Sequence, residues 1–159
     1  MRLTMRIFTL LLVTLLCQSF SFAQDNFQTY RNSRFGYSIV YPANILTPQR
    51  EADNGDGRKF KSRDGKIVLT VFGRYNVNNR SLKAETDKAL ADWKKDGATI
   101  TYWKRVKNYF AISGYVGDNI FYEKTVQRGD QYNTYFYEYP KTLKKRMDVP
   151  VNRAFDSFN

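Results

Sequence analysis

The sequence predicts an α+β fold, an antiparallel β-sheet sandwiched between helices in an α/β/α arrangement. The first sign is the stretch from Tyr109 to Pro140, where three runs rich in aromatic and β-branched residues are separated by Gly117-Asp118 and Gly129-Asp130. Glycine accepts the positive φ of a two-residue hairpin loop, so the stretch reads as a three-stranded meander. The second sign is that neither face of this meander is polar. A sheet with two apolar faces needs cover on both sides. The third is a pair of amphipathic segments, Ser81–Lys95 and the one after Asp148, which can supply that cover.

The loops fix the registers. With Gly117-Asp118 as the turn, Val116 lies opposite Asn119, Gly114 opposite Phe121 and Ile112 opposite Glu123. With Gly129-Asp130 as the next turn, Phe121 pairs with Glu138, Glu123 with Phe136 and Thr125 with Thr134. Alternation then places Phe110, Ile112, Val116, Phe121, Tyr132 and Phe136 on one face. Tyr109, Ala111, Tyr115, Ile120, Tyr122, Val126, Tyr135, Tyr137 and Tyr139 fall on the other. A slip of one residue would exchange the two sets.

Taken in chain order, Arg2 and Arg6 precede an apolar run from Phe8 to Leu16, and Ser21-Phe22-Ala23 has the small-x-small form of a cleavage site. Residues 1–23 therefore read as a secretory signal peptide, and residues 24–159 as one α+β domain. The apolar run is too short to span a bilayer, and Leu16 before Cys17 does not fit a lipidation signal. Gln24 to Gln28 reads as a lead-in, Tyr30 to Asn32 as a brief strand, and Tyr37 to Tyr41 as a strand ended by Pro42. The polar stretch Thr47 to Gly57 reads as a loop. Its Asp53-Asn54-Gly55-Asp56-Gly57 puts glycines where an EF-hand needs oxygen ligands, so it reads as a turn rather than a calcium site. Arg58–Ser62 and Lys66–Gly73 flank Asp64-Gly65, a type I′ hairpin signal.

The helix over Ser81–Lys95 has Ser81 as its cap and Leu82, Ala89, Leu90 and Trp93 on its apolar stripe, with Lys83, Glu85, Lys88 and Asp92 away from it. Asp96-Gly97 stops it, and Ala98 to Val106 is a strand. Asp148 reads as the cap of a final helix with Pro150 in its first turn and Val151, Ala154, Phe155 and Phe158 on its stripe. If Phe155 is a core residue there, Phe155→Ala should cost ~3–5 kcal/mol.

Composition narrows function. Residues 24–159 hold no cysteine and no histidine, which removes disulfides, thiolate nucleophiles and imidazole bases or ligands. No cofactor motif is present, and the expected cofactor complement is none. The chain carries a net charge of +11; Arg2 and Arg6 account for two units, leaving +9 after the leader. Such a charge suits an anionic partner. No nucleic-acid recognition motif accompanies it, and export argues against that class. Arg128-Gly129-Asp130 spells an adhesion tripeptide, but the hairpin accounts for it. Asn79-Arg80-Ser81 is a glycosylation sequon whose serine is better used as a helix cap.

A family resemblance spans nearly all of residues 24–159. Phe35-Gly36-Tyr37-Ser38-Ile39 with Tyr41-Pro42, Ser113-Gly114-Tyr115, Ile120-Phe121-Tyr122-Glu123-Lys124, Tyr139-Pro140, and Asp148-Val149-Pro150-Val151 through Ser157-Phe158 carry it. These segments resemble a superfamily that joins the extrinsic PsbP subunit of photosystem II to a Ran-binding nuclear-import factor, with many exported bacterial relatives. The resemblance implies a PsbP-like antiparallel sheet between helices. It implies no catalytic residues.

The expectation for function is an exported, non-catalytic binding or accessory module of the cell envelope, periplasmic or extracellular and monomeric. It would contact a protein or an anionic envelope component and have no transmembrane segment after signal cleavage. Two surfaces can bind: the tyrosine face around Tyr115, Tyr122, Tyr135 and Tyr137, and the basic stretch Lys141, Lys144, Lys145 and Arg146. Tyrosine joins a broad apolar ring to a polar tip and suits interfaces. A helix covering the tyrosine face would instead make it core. Lys104, Arg105 and Lys107 extend the basic patch if they lie beside it. The alternative is a carboxylate-based hydrolase with its site in a cleft of the sheet, to be recognised by convergent Asp or Glu side chains in a deep pocket.

Overall fold

The computed structural model describes residues 26–159; the signal peptide read over residues 1–23, with Cys17, lies outside them. Nine strands and two α-helices follow one another: β1 Phe27–Arg31, β2 Ser38–Pro42, β3 Thr47–Glu51, β4 Gly57–Lys61, β5 Val68–Tyr75, α1 Leu82–Lys95, β6 Thr99–Arg105, β7 Tyr109–Val116, β8 Asn119–Arg128, β9 Gln131–Pro140, a single 3₁₀ turn Lys141–Leu143, and α2 Lys144–Ser157. Strands β3 to β9 form one antiparallel seven-stranded sheet in the order β3-β4-β5-β9-β8-β7-β6, and β1 and β2 form a separate hairpin.

The meander occupies the middle of the sheet with every register that the two Gly-Asp turns imply. Val116 pairs with Asn119, Ile112 with Glu123, Glu123 with Phe136 and Thr125 with Thr134. Gly117 and Gly129 have φ of 56° and 59°, while Asp118 and Asp130 are not in the positive-φ region. Positive φ at the first central residue alone is the type II′ pattern. The Asp64-Gly65 turn differs from its type I′ expectation. Only Gly65 has positive φ, its amide bonds the Ser62 carbonyl, and the Ser62 amide bonds the Ile67 carbonyl. That is a type I turn followed by a left-handed glycine, which lengthens the loop.

The two faces are covered by different elements. Helix α1 lies over the face carrying Phe110, Ile112, Phe121 and Tyr132, with Leu82 buried against them and Trp93 stacked on Phe121 at 3.8 Å between ring centroids. Ser81 caps it, accepting from the Ala84 amide at 3.2 Å. Helix α2 and the β1–β2 hairpin together lie over the opposite face. There Tyr37, Ile39 and Tyr41 join Phe60, Leu69, Val71, Tyr135, Tyr137, Tyr139, Met147, Val151, Ala154 and Phe158 in one core. The arrangement is a mostly antiparallel sheet with two helices, one per face, and half of the second cover is a β-hairpin rather than a helix. Phe35, in the turn between β1 and β2, packs on β5 where residue 73 is glycine. A Cβ there would lie 2.3 Å from the Phe35 ring, so only glycine admits the contact.

Four elements depart from the sequence reading. The lead-in belongs to β1, which begins at Phe27. The polar stretch at Thr47 is edge strand β3, paired with β4. It shows no apolar alternation because neither of its faces is buried. Glu85 is buried, not on the polar side of α1, and bonds Arg74 at 2.6 Å. It lies one turn after Leu82, on the same stripe. Asp148 does not cap the last helix. The helix starts at Lys144, Asp148 accepts from Lys144 one turn earlier at 2.9 Å, and Pro150 lies inside. The 3₁₀ turn after Pro140 starts the helical path earlier than Asp148 suggested.

The C-terminus is stitched into this core. The Val40 amide donates to Ser157 Oγ at 2.9 Å, and Phe158 packs on Tyr37 and Tyr135. Lys124, on the interior strand β8, donates from Nζ to the Phe155 and Phe158 carbonyls at 2.7 and 2.9 Å. A buried cation thus satisfies carbonyls that the end of α2 leaves open.

Candidate functional site

The tyrosine face divides at the edge of α2. Tyr135 and Tyr137 lie beneath the helix and hairpin at 1% and 0% exposure, so they are core. Burial pushes both phenols far above their ordinary value. Tyr115 and Tyr122 are half-buried at the margin. The helix sits over β8, β9 and β2, leaving the β6–β7 side of the face open. A groove of about 230 Å³ runs there, lined by Tyr102, Ser113, Tyr122, Val151, Asn152 and Phe155.

The basic stretch also divides. The Lys141 ammonium lies over the Tyr115 ring, 4.7 Å from its centroid. The Asp148 carboxylate raises the Lys144 ammonium above its ordinary value, and Tyr122 and Tyr115 contribute in the same direction. Lys145 is exposed. Arg146 points elsewhere, into a depression with Asn44, Ser62, Arg63 and Asp64. Lys104, Arg105 and Lys107 do not extend the patch. Thr99 is the β6 residue opposite Tyr115, and Lys104 lies five residues further along, opposite Ala111. At about 3.3 Å per residue that is on the order of 17 Å away. The structure thus brings together Tyr115, Tyr122, Lys141 and Lys144 as one corner of the molecule, where β7 and β8 meet the start of α2.

A second cavity, of about 420 Å³, lies between α1 and the sheet. Glu85, Asp92, Asp96, Glu123 and Glu138 line it with Arg74, Lys88, Trp93, Phe72 and Phe136. This is where a carboxylate hydrolase would place its site; of the two buried carboxylates, Glu123 is bonded through both oxygens and Glu85 through one. Glu123 accepts from Trp93 Nε1 at 2.6 Å and from Thr125 Oγ1 at 3.0 Å, and Thr125 meets Thr134 at 2.9 Å. Burial raises the Glu123 carboxyl above its usual range against these two hydrogen bonds. Glu85 bonds Arg74, whose guanidinium stacks 4.9 Å from the Tyr132 ring centroid. Asp92 is held by Lys88. These contacts pin α1 to the sheet, while Glu85 Oε2 stays buried without a hydrogen-bond partner among the described residues.

Sequence reasoning missed Glu123 and Lys124 as buried charges. The signal was present: charged residues in mid-strand of an interior strand covered on both faces have to be buried and partnered. Among the described residues, no group of three or more His, Cys, Asp or Glu side chains is placed to hold a metal ion, and no helix is long and apolar enough to cross a membrane. The adhesion-like tripeptide sits in the β8–β9 hairpin, where Arg128 donates to the Gly36 carbonyl at 2.9 Å.

No protein-family model matches the chain, and no curated protein matches it. Among solved structures it is similar to cyanobacterial PsbP (CyanoP) from Synechocystis sp. PCC 6803. The TM-score is 0.66 at 14% identity, over 91% of this chain and 98% of that one. Seven antiparallel strands with a helix on each face thus have a solved counterpart, and the fold of this chain is PsbP-like.

Proposed function

We propose that this protein is an exported, non-catalytic accessory module, monomeric after removal of residues 1–23, that docks a protein or an anionic envelope component. The observation that carries this reading is the open corner of Tyr115, Tyr122, Lys141 and Lys144, where aromatic rings and ammonium groups share one surface. The PsbP-like fold supports an accessory role. The charge of residues 24–159 adds a long-range attraction that salt screens over about 10 Å at 0.1 M.

The test is binding of residues 24–159 to anionic vesicles of phosphatidylglycerol, to lipopolysaccharide, and to proteins of the host's own envelope fraction. Binding should fall as salt rises. Replacing Tyr115 and Tyr122 by Ser together with Lys141 and Lys144 by Glu should abolish it. Reversing Lys144, Lys145 and Arg146 to Glu should weaken it while leaving the melting temperature nearly unchanged, because exposed charges contribute little to folding. Binding that survives all of these changes would refute the reading.

A further inference from the structure

The two edges of the sheet are built differently. β3 is guarded: it is five residues long, contains Pro48, carries a bulge between Pro48 and Glu51, and ties Glu51 to Arg58 and Tyr30. Those are the devices by which an edge is kept from recruiting another strand. β6 is longer, seven residues of Thr-Ile-Thr-Tyr-Trp-Lys-Arg without proline. Its own bulge lies between Ile100 and Tyr102 and leaves Tyr102–Arg105 in unbroken register with β7. The strand is nearly all solvent-facing, with Tyr102 and Trp103 at 53% and 50% exposure. Two large aromatic side chains exposed to water on an edge strand, one on each face, are otherwise a liability.

The backbone of β6 is also available. The Val106 amide donates to the Tyr109 carbonyl at 2.9 Å. Counting back in twos along the antiparallel pair, Lys104 and Tyr102 direct their backbone groups at β7, and Arg105 and Trp103 direct theirs outward. The side chains alternate across the edge. Tyr102 and Lys104 lie on the α2 face opposite Ser113 and Ala111, and Trp103 and Arg105 lie on the α1 face opposite Ile112 and Phe110. An added strand would find an aromatic and a cationic residue on each face. Lys94 and Lys95 end the helix leading into β6, and Lys107 follows it. None of Lys94, Lys95, Lys104, Arg105 and Lys107 is in an ion pair among the described residues, in contrast to Lys83, Lys88 and Lys144.

We propose that β6 captures an extended, acidic segment of a partner protein as an eighth strand of the sheet. Backbone hydrogen bonds at Trp103 and Arg105 hold it in register, Tyr102 and Trp103 pack on its alternate side chains, and the five cations select acidic residues. This rests on the reading of the chain as a binding module and gives the protein partner a chemistry. The groove lined by Tyr102 and Tyr122 runs from β6 towards the Tyr–Lys corner, so both surfaces can serve one partner.

The test is selection of a random library of displayed eight-residue peptides on residues 24–159, with Trp103→Pro as the discriminating variant. Proline deletes the outward amide of residue 103 and leaves the β6–β7 bonds at Tyr102 and Lys104 untouched, a placement that edge strands tolerate. The proposal expects peptides rich in Asp and Glu alternating with apolar residues, and protection of the Trp103 and Arg105 amides from hydrogen exchange on binding. It also expects at least about tenfold weaker binding to Trp103→Pro, which removes one backbone hydrogen bond and the indole packing together. Should the proline variant unfold, Lys104→Glu with Arg105→Glu and Lys107→Glu takes its place, and must discard the acidic peptides.

Failure to enrich any peptide overturns the proposal, as does enrichment that ignores both variants. So does a dimer that Trp103→Pro dissolves, which would make a second copy the occupant. An envelope protein that is lost on changing Tyr122 and Lys141 but retained by Trp103→Pro overturns the added strand while leaving the binding-module reading intact. Loss of all envelope binding by the unmodified protein removes the broader reading itself.

Discussion

The two faces of the sheet come from the same strands, residue by residue, and are held by different physics. The α2 face is an aromatic core in which Tyr37, Ile39, Phe60, Leu69, Tyr135, Tyr137 and Phe158 are close-packed beneath a helix and a hairpin. The α1 face has a small apolar cluster at one side and a polar-lined cavity at the other, where Trp93 and Thr125 bond Glu123, Thr125 meets Thr134, and Arg74 bonds Glu85. One helix cannot cover a seven-stranded face, and the hairpin makes the difference on the other side. Stability is therefore expected to reside on the α2 face, and α1 to be the more easily released element.

Phe60→Ala presses hardest on this contrast. Phe60 is fully buried against Tyr30 and Tyr41, and its truncation should cost ~3–5 kcal/mol in urea melts. A loss similar to that of any α1-face change would erase the distinction. Trp93→Phe sharpens it from the other side. It keeps a ring over Phe121 but removes the donor to buried Glu123, an omission worth ~1–3 kcal/mol. Hydrogen exchange in that variant should quicken through α1 and not through α2.

Phe155→Ala comes next, at about 1–2 kcal/mol rather than the core-residue figure that its helical position suggested. The ring is only half-buried, edge-on to Tyr109 and 4.4 Å from the Lys124 ammonium. The smallest effect is a pH slope. Burial raises the Glu123 carboxyl above its unfolded value, so the folded state holds that proton more tightly. Its contribution to stability is full in acid and is lost as pH rises through the folded pKa. Glu123→Gln should flatten that part of the plot of urea midpoint against pH; an unchanged slope would mean that Arg74 and the two hydrogen bonds already cancel the desolvation.

The meander was legible because its turns and its faces specify each other. Gly117 and Gly129 set the registers, and the registers sorted fifteen side chains onto two faces without error. β3 was not legible, because an edge strand with both faces in water has no reason to alternate. The start of α2 was missed since Asp148 and Pro150 imitate an N-terminus, whereas Met147, buried a turn earlier, belongs to the same stripe as Val151 and Ala154. Of the residues expected at a binding surface, Tyr115 and Tyr122 differ from Tyr135 and Tyr137 only in where α2 crosses the sheet. That is a tertiary fact with no local signature.

The stitching of the C-terminus has a consequence for the order of folding. The Val40–Ser157 bond joins residues 117 apart in sequence, while the meander closes through neighbours. Local pairing is kinetically cheap and distant closure is slow. The meander should therefore form early, and the α2 core should seal only when the last residues dock on β2. Substitutions at Thr125 and Thr134 should slow refolding, while Phe158→Leu should mainly speed unfolding. The same geometry keeps the aromatic face unsealed until the turn holding Ser157 and Phe158 reaches β2, an interval in which exposed apolar surface is open to a holding chaperone.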